Sequence, residues 1–215
     1  MSSSRGNPPV SPDPFPLSAA AAELLQRWIA VVVSTPGLTS IRDPGEARRM
    51  LLEDSLRGAG VVGELEGPIV DVGSGGGAPG IPLAAALPER DVTLLEAERR
   101  KADLLRRWMH ELPNLRVVWG RAEEQEVDRF GVAVAKALAP PPVAVEWVLP
   151  LVRPGGAAVL WVGPTADLGA VFRVSELLAG GRPQERDGLL VVPKVGATPA
   201  GFPRRPGMAR KRPLA

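Results

Sequence analysis

The chain has 215 residues, 45% of them hydrophobic, enough for one sizeable core and a single domain with a small N-terminal extension. With no cysteine and one histidine, His110, it excludes a disulfide framework, a thiolate zinc site and a histidine cluster, and a cytoplasmic setting without bound metal is the simplest expectation. The formal charge of +2 is near balance, and no apolar run reaches the roughly 18 residues that a membrane span needs, so a soluble protein with no membrane partner is expected.

Residues 1–16 are rich in Ser and Pro and lack hydrophobic periodicity, which predicts a disordered or loosely attached segment without the apolar centre of a secretory signal. A helix starts near Ser18, puts Leu24, Leu25, Trp28, Ile29 and Val32 on one face, and stops at Pro36-Gly37. A second opens with Asp43 as N-cap, Pro44 at the first position and Glu46 three residues after the cap, and should run to about Arg57. Residues 58–67 read as a link, so 17–67 form an N-terminal helical extension.

Ile69-Val70-Asp71-Val72 has the composition of a buried parallel strand, and Gly73, Gly75, Gly76 and Gly77 follow at once, before an apolar helical segment from Ile81 to Leu87. A strand feeding such a loop leaves backbone N–H groups bare as a cradle for a nucleotide-like ligand. Gly73-x-Gly75-x-Gly77 fits the compact pattern of S-adenosylmethionine (SAM) enzymes, while Gly75-x-Gly77-x-x-Gly80 also fits a dinucleotide fingerprint. Residues 91–95 are a second strand, and Glu96 ends it about 20 residues past the loop, where a carboxylate accepts both ribose hydroxyls of either cofactor.

An amphipathic crossover helix over 97–110 carries Leu104, Leu105 and Trp108 on its apolar side. Residues 115–119 form a third strand, followed by Gly120-Arg121-Ala122-Glu123-Glu124, and residues 131–135 a fourth, ending at Lys136. A helix over 142–151, a turn at Arg153-Pro154-Gly155-Gly156, a strand over 157–162, a helix over 166–178 and a strand over 188–195 that pairs with another run at the sheet edge complete the core, 68–197. This alternation predicts an α/β fold, a mostly parallel doubly wound sheet with the ligand at the carboxyl ends of its strands. The loop 73–78, Glu96, Ala122, Glu123 and Lys136 all lie just past a strand end. Trp28, Trp108, Trp119, Trp147 and Trp161 sit in apolar patterns and read as core. From Lys194 onward the chain has no acidic side chain and carries Arg204, Arg205, Arg210, Lys211 and Arg212, so 198–215 form a basic arm suited to an anionic partner.

The runs DVGSGGGAPGIPLA (71–84), TLLEAERRKADLL (93–105), GRAEE (120–124), AKALAP (135–140) and TPAGFPRRPGMARKRPL (198–214) resemble the bacterial small-subunit (16S) ribosomal RNA guanine-N7 methyltransferases, the glucose-inhibited division protein B family. LTSIRDPGEA (38–47) and EDSL (53–56) resemble that family's N-terminal region, so the likeness covers the chain from about residue 20. The resemblance implies a class I SAM-dependent methyltransferase with a Rossmann-like sheet closed by an antiparallel last strand. It implies SAM contacts at Gly73 and Ala78, the ribose at Glu96, the adenine at Ala122 and Glu123, and a cofactor role for Lys136. Three departures stand out: Lys136 where the family usually has arginine, Ala78 where it usually has a large apolar residue, and no histidine near Leu51. The partner implied is 16S rRNA or the small ribosomal subunit, with Arg204, Arg205, Arg210, Lys211 and Arg212 on its phosphates.

The chemistry of the chain agrees with that class. Carbon-5 methylation of a pyrimidine normally needs a cysteine nucleophile, which is absent. Exocyclic-amine methylation usually relies on an acidic or amide residue, two prolines and an aromatic after the fourth strand, where this chain reads Lys136-Ala137-Leu138-Ala139-Pro140. Guanine N7 has an exposed lone pair and loses no proton, so positioning rather than a general base is expected and no catalytic residue is named. The rivals are a nicotinamide-dependent oxidoreductase using Gly75, Gly77, Gly80 and Glu96, and a non-catalytic RNA-binding relative. The basic arm is expected to be separable from the cofactor site; the alternative is an arm that folds back over the cofactor or completes the sheet, since Pro203, Pro206 and Gly207 could set a fixed turn.

Overall fold

The computed structural model describes residues 17–163 and 165–215, and the expectation for residues 1–16 lies outside them. In α1 (Ala19–Ser34), Ser18 caps the first turn by accepting the Ala21 N–H, and Leu24, Leu25, Trp28, Ile29 and Val32 are buried, the face their spacing selects. Asp43 caps α2 (Pro44–Ala47) by accepting the Glu46 N–H at 2.7 Å. The helix then widens into a π-helical stretch, Arg48–Glu53, before α3 (Asp54–Leu56). α4 (Ala59–Gly63) occupies the stretch read as a link: its glycines are poor helix formers, but burial of Ala59, Val61 and Val62 outweighs that propensity.

The sheet has seven strands in the order β3-β2-β1-β4-β5-β7-β6. They are β1 (Ile69–Val72), β2 (Val92–Glu96), β3 (Leu115–Trp119), β4 (Phe130–Lys136), β5 (Val152–Trp161), β6 (Gln184–Arg186) and β7 (Leu189–Pro193). The first five are parallel, β7 runs antiparallel to β5, and β6 antiparallel to β7. On one face Ile69, Leu94, Val132, Val134 and Val159 pack with α1, the following N-terminal helices and α5 (Gly80–Ala86). On the other, Val70, Leu95, Ala133 and Leu160 pack with α7 (Pro141–Val148) and α8 (Leu168–Leu177). Both faces are covered, which is why β1 is buried along its whole length without alternation. The N-terminal helices share one core with the sheet, so 17–67 are built into its face.

Two differences from the sequence reading have local causes. α6 (Arg99–Leu105) is shorter than the stretch 97–110 and passes into a 3-10 turn, Arg106–His110, that buries Trp108. β5 begins at Val152 and takes in Gly155-Gly156, read as a turn; β4 and β5 approach so closely that a Cβ on Gly156 would lie 2.2 Å from the Gly131 carbonyl oxygen. The run expected to pair with the last strand at the sheet edge is β6, joined to β7 through Asp187-Gly188 at φ 50° and 70°, and that Asp-Gly pair is the signal that would have located the hairpin.

The chain steps outward from β1 through β2 to β3, then crosses back to β4 on the other side of β1. Connections leaving β1 and β4 diverge there, so a crevice opens at their carboxyl ends.

Candidate active site

That crevice is a cleft of about 520 Å³, within the range of small-molecule sites. Its floor is the turn from β1 into α5. Gly73 donates its N–H to the Leu95 carbonyl at 2.8 Å, and the Ser74 hydroxyl donates to the Asp71 carbonyl at 2.9 Å. From α1 the Trp28 indole N–H holds the Gly76 carbonyl at 2.9 Å. Gly75, at φ 56°, has nothing nearer than 3.8 Å where a Cβ would stand, so its bare side lies open toward the cleft. Gly80 has the opposite reason to be glycine: a Cβ there would lie 2.2 Å from Leu94 Cδ2, so α5 could not close onto β2.

Two carboxylates organise this turn. Glu96, at the end of β2 and largely buried, accepts the Gly75 N–H on Oε2 at 2.8 Å and the Glu98 N–H on Oε1 at 2.7 Å. Each oxygen keeps a further lone pair, which is what a pair of ribose hydroxyls requires. Asp71 is fully buried behind the turn; its Oδ2 accepts the Gly80 N–H at 3.0 Å and its Oδ1 has no partner. Burial pushes the Asp71 carboxyl up to about 7, against the opposing Gly80 hydrogen bond.

Of the residues expected to hold the cofactor, Gly73, Ala78, Glu96, Ala122, Glu123 and Lys136 all line this one cleft. Two of them also serve neighbouring elements. Lys136 Nζ stands 2.7 Å from Asp54 Oδ2 and donates to the Met50 carbonyl at 2.8 Å, tying β4 to the N-terminal helices. Glu123 Oε1 accepts the Gly207 N–H at 3.0 Å. Trp28, Leu51, Lys101, Arg121, Trp147 and Arg210 also line it and were not foreseen there.

The basic segment is not a separate arm. It folds back over the cleft, the alternative the sequence left open, because Arg204 finds a buried counter-charge. Arg204 Nε and Nη2 donate to Glu146 Oε1 and Oε2 at 2.5 and 2.6 Å, and α9 (Met208–Lys211) sets the Arg210 guanidinium over the Trp147 ring, 5.2 Å from its centroid. Arg205, Arg210, Lys211 and Arg212 remain exposed, whereas the Arg204 guanidinium is engaged by Glu146 rather than offered to a phosphate. Two tryptophans also depart from the core reading. Trp119 ends the edge strand β3, 52% exposed, with Arg99 stacked on its ring, and Trp147 is half-buried against the cleft. Among the described residues no group of His, Cys, Asp and Glu could hold a metal ion, and no helix is long and apolar enough to cross a membrane.

The family model described as rRNA small subunit methyltransferase G (GidB) matches residues 19–168. The chain belongs to the rRNA small subunit methyltransferase G family. Ribosomal RNA small subunit methyltransferase G of Synechococcus elongatus is 34% identical over 94% of this chain and 92% of its own length. The Chloroflexus aggregans relative of the same name is 34% identical over 93% of each chain. Among solved structures, the branched-chain polyamine synthase of Thermus thermophilus aligns over 79% of this chain and 52% of its own at a TM-score of 0.58 and 17% identity. A TehB-like SAM-dependent methyltransferase from Corynebacterium glutamicum aligns over 82% and 98% at 0.50 and 17%. These structures share the fold. The class I methyltransferase architecture expected for the family, including the antiparallel last strand, is the one observed.

Glu96→Ala removes the charged acceptor and frees two backbone N–H groups, so SAM affinity by calorimetry should fall by more than about tenfold, with Glu96→Asp recovering part of it. Unchanged affinity in Glu96→Ala would move the ribose elsewhere. Asp71 gives a pH signature. Its carboxyl is raised from 3.8 unfolded to about 7 folded, so the stability its protonated form contributes is complete below about pH 4 and lost as pH rises through about 7. Between pH 5 and pH 8 the melting temperature of the wild type should therefore fall relative to that of Asp71→Asn, and parallel pH profiles would contradict the buried neutral carboxyl.

Proposed function

We propose that this chain transfers the methyl group of SAM to N7 of a guanine in 16S ribosomal RNA, working in the cytoplasm on naked RNA or on the small ribosomal subunit. The observation that carries the cofactor reading is Glu96, a carboxylate fixed by two backbone N–H groups beside the bare side of Gly75, with lone pairs left for a ribose. In this reading the turn Gly73–Ala78 takes the amino-acid end of SAM, Glu96 the ribose, and Ala122 with Glu123 the adenine. Lys136 acts at the cleft chiefly by holding Asp54 and Met50, and with them Leu51, against it.

When bound, SAM supplies a methyl group on a sulfonium, which the N7 lone pair takes as the sulfur–carbon bond breaks. No proton leaves the guanine, so the protein has to orient and exclude water rather than supply a base. The apolar lining from Val32, Leu38, Leu51, Leu138 and Trp147 suits that task. The exposed Arg205, Arg210, Lys211 and Arg212 contact RNA phosphates, which fix the substrate's register without reading its sequence. The nicotinamide alternative finds no support in a chain of a methyltransferase family.

Purified protein incubated with methyl-labelled SAM and small ribosomal subunits or naked 16S rRNA should yield N7-methylguanosine on nucleoside mass spectrometry. A different methylated nucleoside would overturn the N7 assignment, and RNA bound without any transfer would favour the non-catalytic relative.

A further inference from the structure

The apolar helix α7 carries one acid, Glu146, and it is 3% exposed. A carboxylate in that position is stable only with its charge and both oxygens answered, and Arg204 answers both with a bidentate fork. The same guanidinium donates to the Arg212 carbonyl at 2.9 Å, so one side chain ties both ends of the loop 204–212 to α7. The crown of that loop faces the cleft. Gly207, at φ 81°, donates its N–H to Glu123, and Arg210 lies on Trp147 with only a 3.4 Å contact to the Leu138 carbonyl to hold it. Gly207 and Arg210 are cleft lining, so the loop is a wall of the site, seated by the buried Ala209 and anchored behind by Glu146.

We propose that Glu146 and Arg204 are positioning residues for SAM binding: their ion pair seats the loop 204–212 as the wall over the Glu123 and Trp147 side of the cleft. The proposal rests on the SAM reading above. Neither residue touches the cleft; the pair acts through Gly207, which fixes one oxygen of Glu123 and leaves the other for a ligand, and through Arg210, which closes that side to water. A pair that served stability alone would lower the melting temperature and leave SAM affinity where it was.

The test uses the full-length protein, titrating SAM calorimetrically and recording thermal melting for wild type, Glu146→Gln, Arg204→Met, Arg204→Lys and Val192→Ala. Glu146→Gln keeps the shape and removes the charge; Val192, fully buried in β7 away from the cleft, is the control for lost stability alone. Glu146→Gln and Arg204→Met should raise the dissociation constant for SAM at least about tenfold, Arg204→Lys should recover part of it, and Val192→Ala should stay within about twofold of wild type. In the wild type, where folding is not in question, amide hydrogen exchange over 204–212 should slow when SAM is added. Folded Glu146→Gln and Arg204→Met binding SAM within about twofold of wild type, or exchange over 204–212 indifferent to SAM, would overturn the proposal. A wild type that does not bind SAM would overturn the cofactor reading itself, and the proposal with it.

Discussion

The structure depends on the fit of one turn, from Val72 to Gly80, between packed layers on either side. Trp28 holds its carbonyl at Gly76 from α1, Asp71 holds its N–H at Gly80 from below, and Glu96 holds its N–H at Gly75 from the neighbouring strand. Each bond satisfies a backbone group that burial would otherwise leave unpaired, at a cost of about 1–3 kcal/mol apiece. Because α5 closes onto β2 with no room for a Cβ at Gly80, the turn cannot slide, and the open side of Gly75 is presented at a fixed place beside Glu96. The cleft follows from that fixed edge.

Around it the molecule buries ionisable groups where an apolar residue would pack. Asp71 sits in the core with an unpartnered oxygen and its carboxyl pushed up to about 7, and Glu146 sits in an apolar helix answered by Arg204. A buried ion pair such as Glu146–Arg204 contributes little net stability, since desolvation offsets most of the attraction. What they supply here is position: Asp71 sets the start of α5, and Glu146 sets the loop that walls the cleft. Lys136 does the same for the N-terminal helices through Asp54. The last two connections bring segments from both ends of the described chain onto a site whose floor is built by β1, β2 and β4.

Much of this was legible in the sequence because it is local. The apolar run before the glycines, the acid closing the second strand and the alternation of strands with helices gave the parallel sheet, the crevice and the residues that line it. The last strand's direction came with the family resemblance. What local pattern could not supply were pairings between distant residues. Arg204 read as one more cation in a basic tail because its partner, Glu146, stands 58 positions earlier in a helix otherwise apolar. The second task of Lys136, its hold on Asp54 and Met50, was equally invisible because both lie far upstream. α4 was missed because the four glycines of 58–67 outvoted Ala59, Val61 and Val62, whose burial decides the matter, and Trp119 read as core because its edge position depends on sheet order.

The claim on which the account turns is that Glu96 and the bare face of Gly75 form the ribose and cofactor edge of the cleft, closed by the folded-back tail. A crystal structure of the full-length protein with S-adenosylhomocysteine tests it most directly. The account predicts both ribose hydroxyls on the Glu96 carboxylate, the adenine beside Ala122 and Glu123, and Gly207 and Arg210 ordered along the ligand. A ligand whose ribose lies away from Glu96, or a tail displaced from Glu146 with the ligand bound, would contradict it.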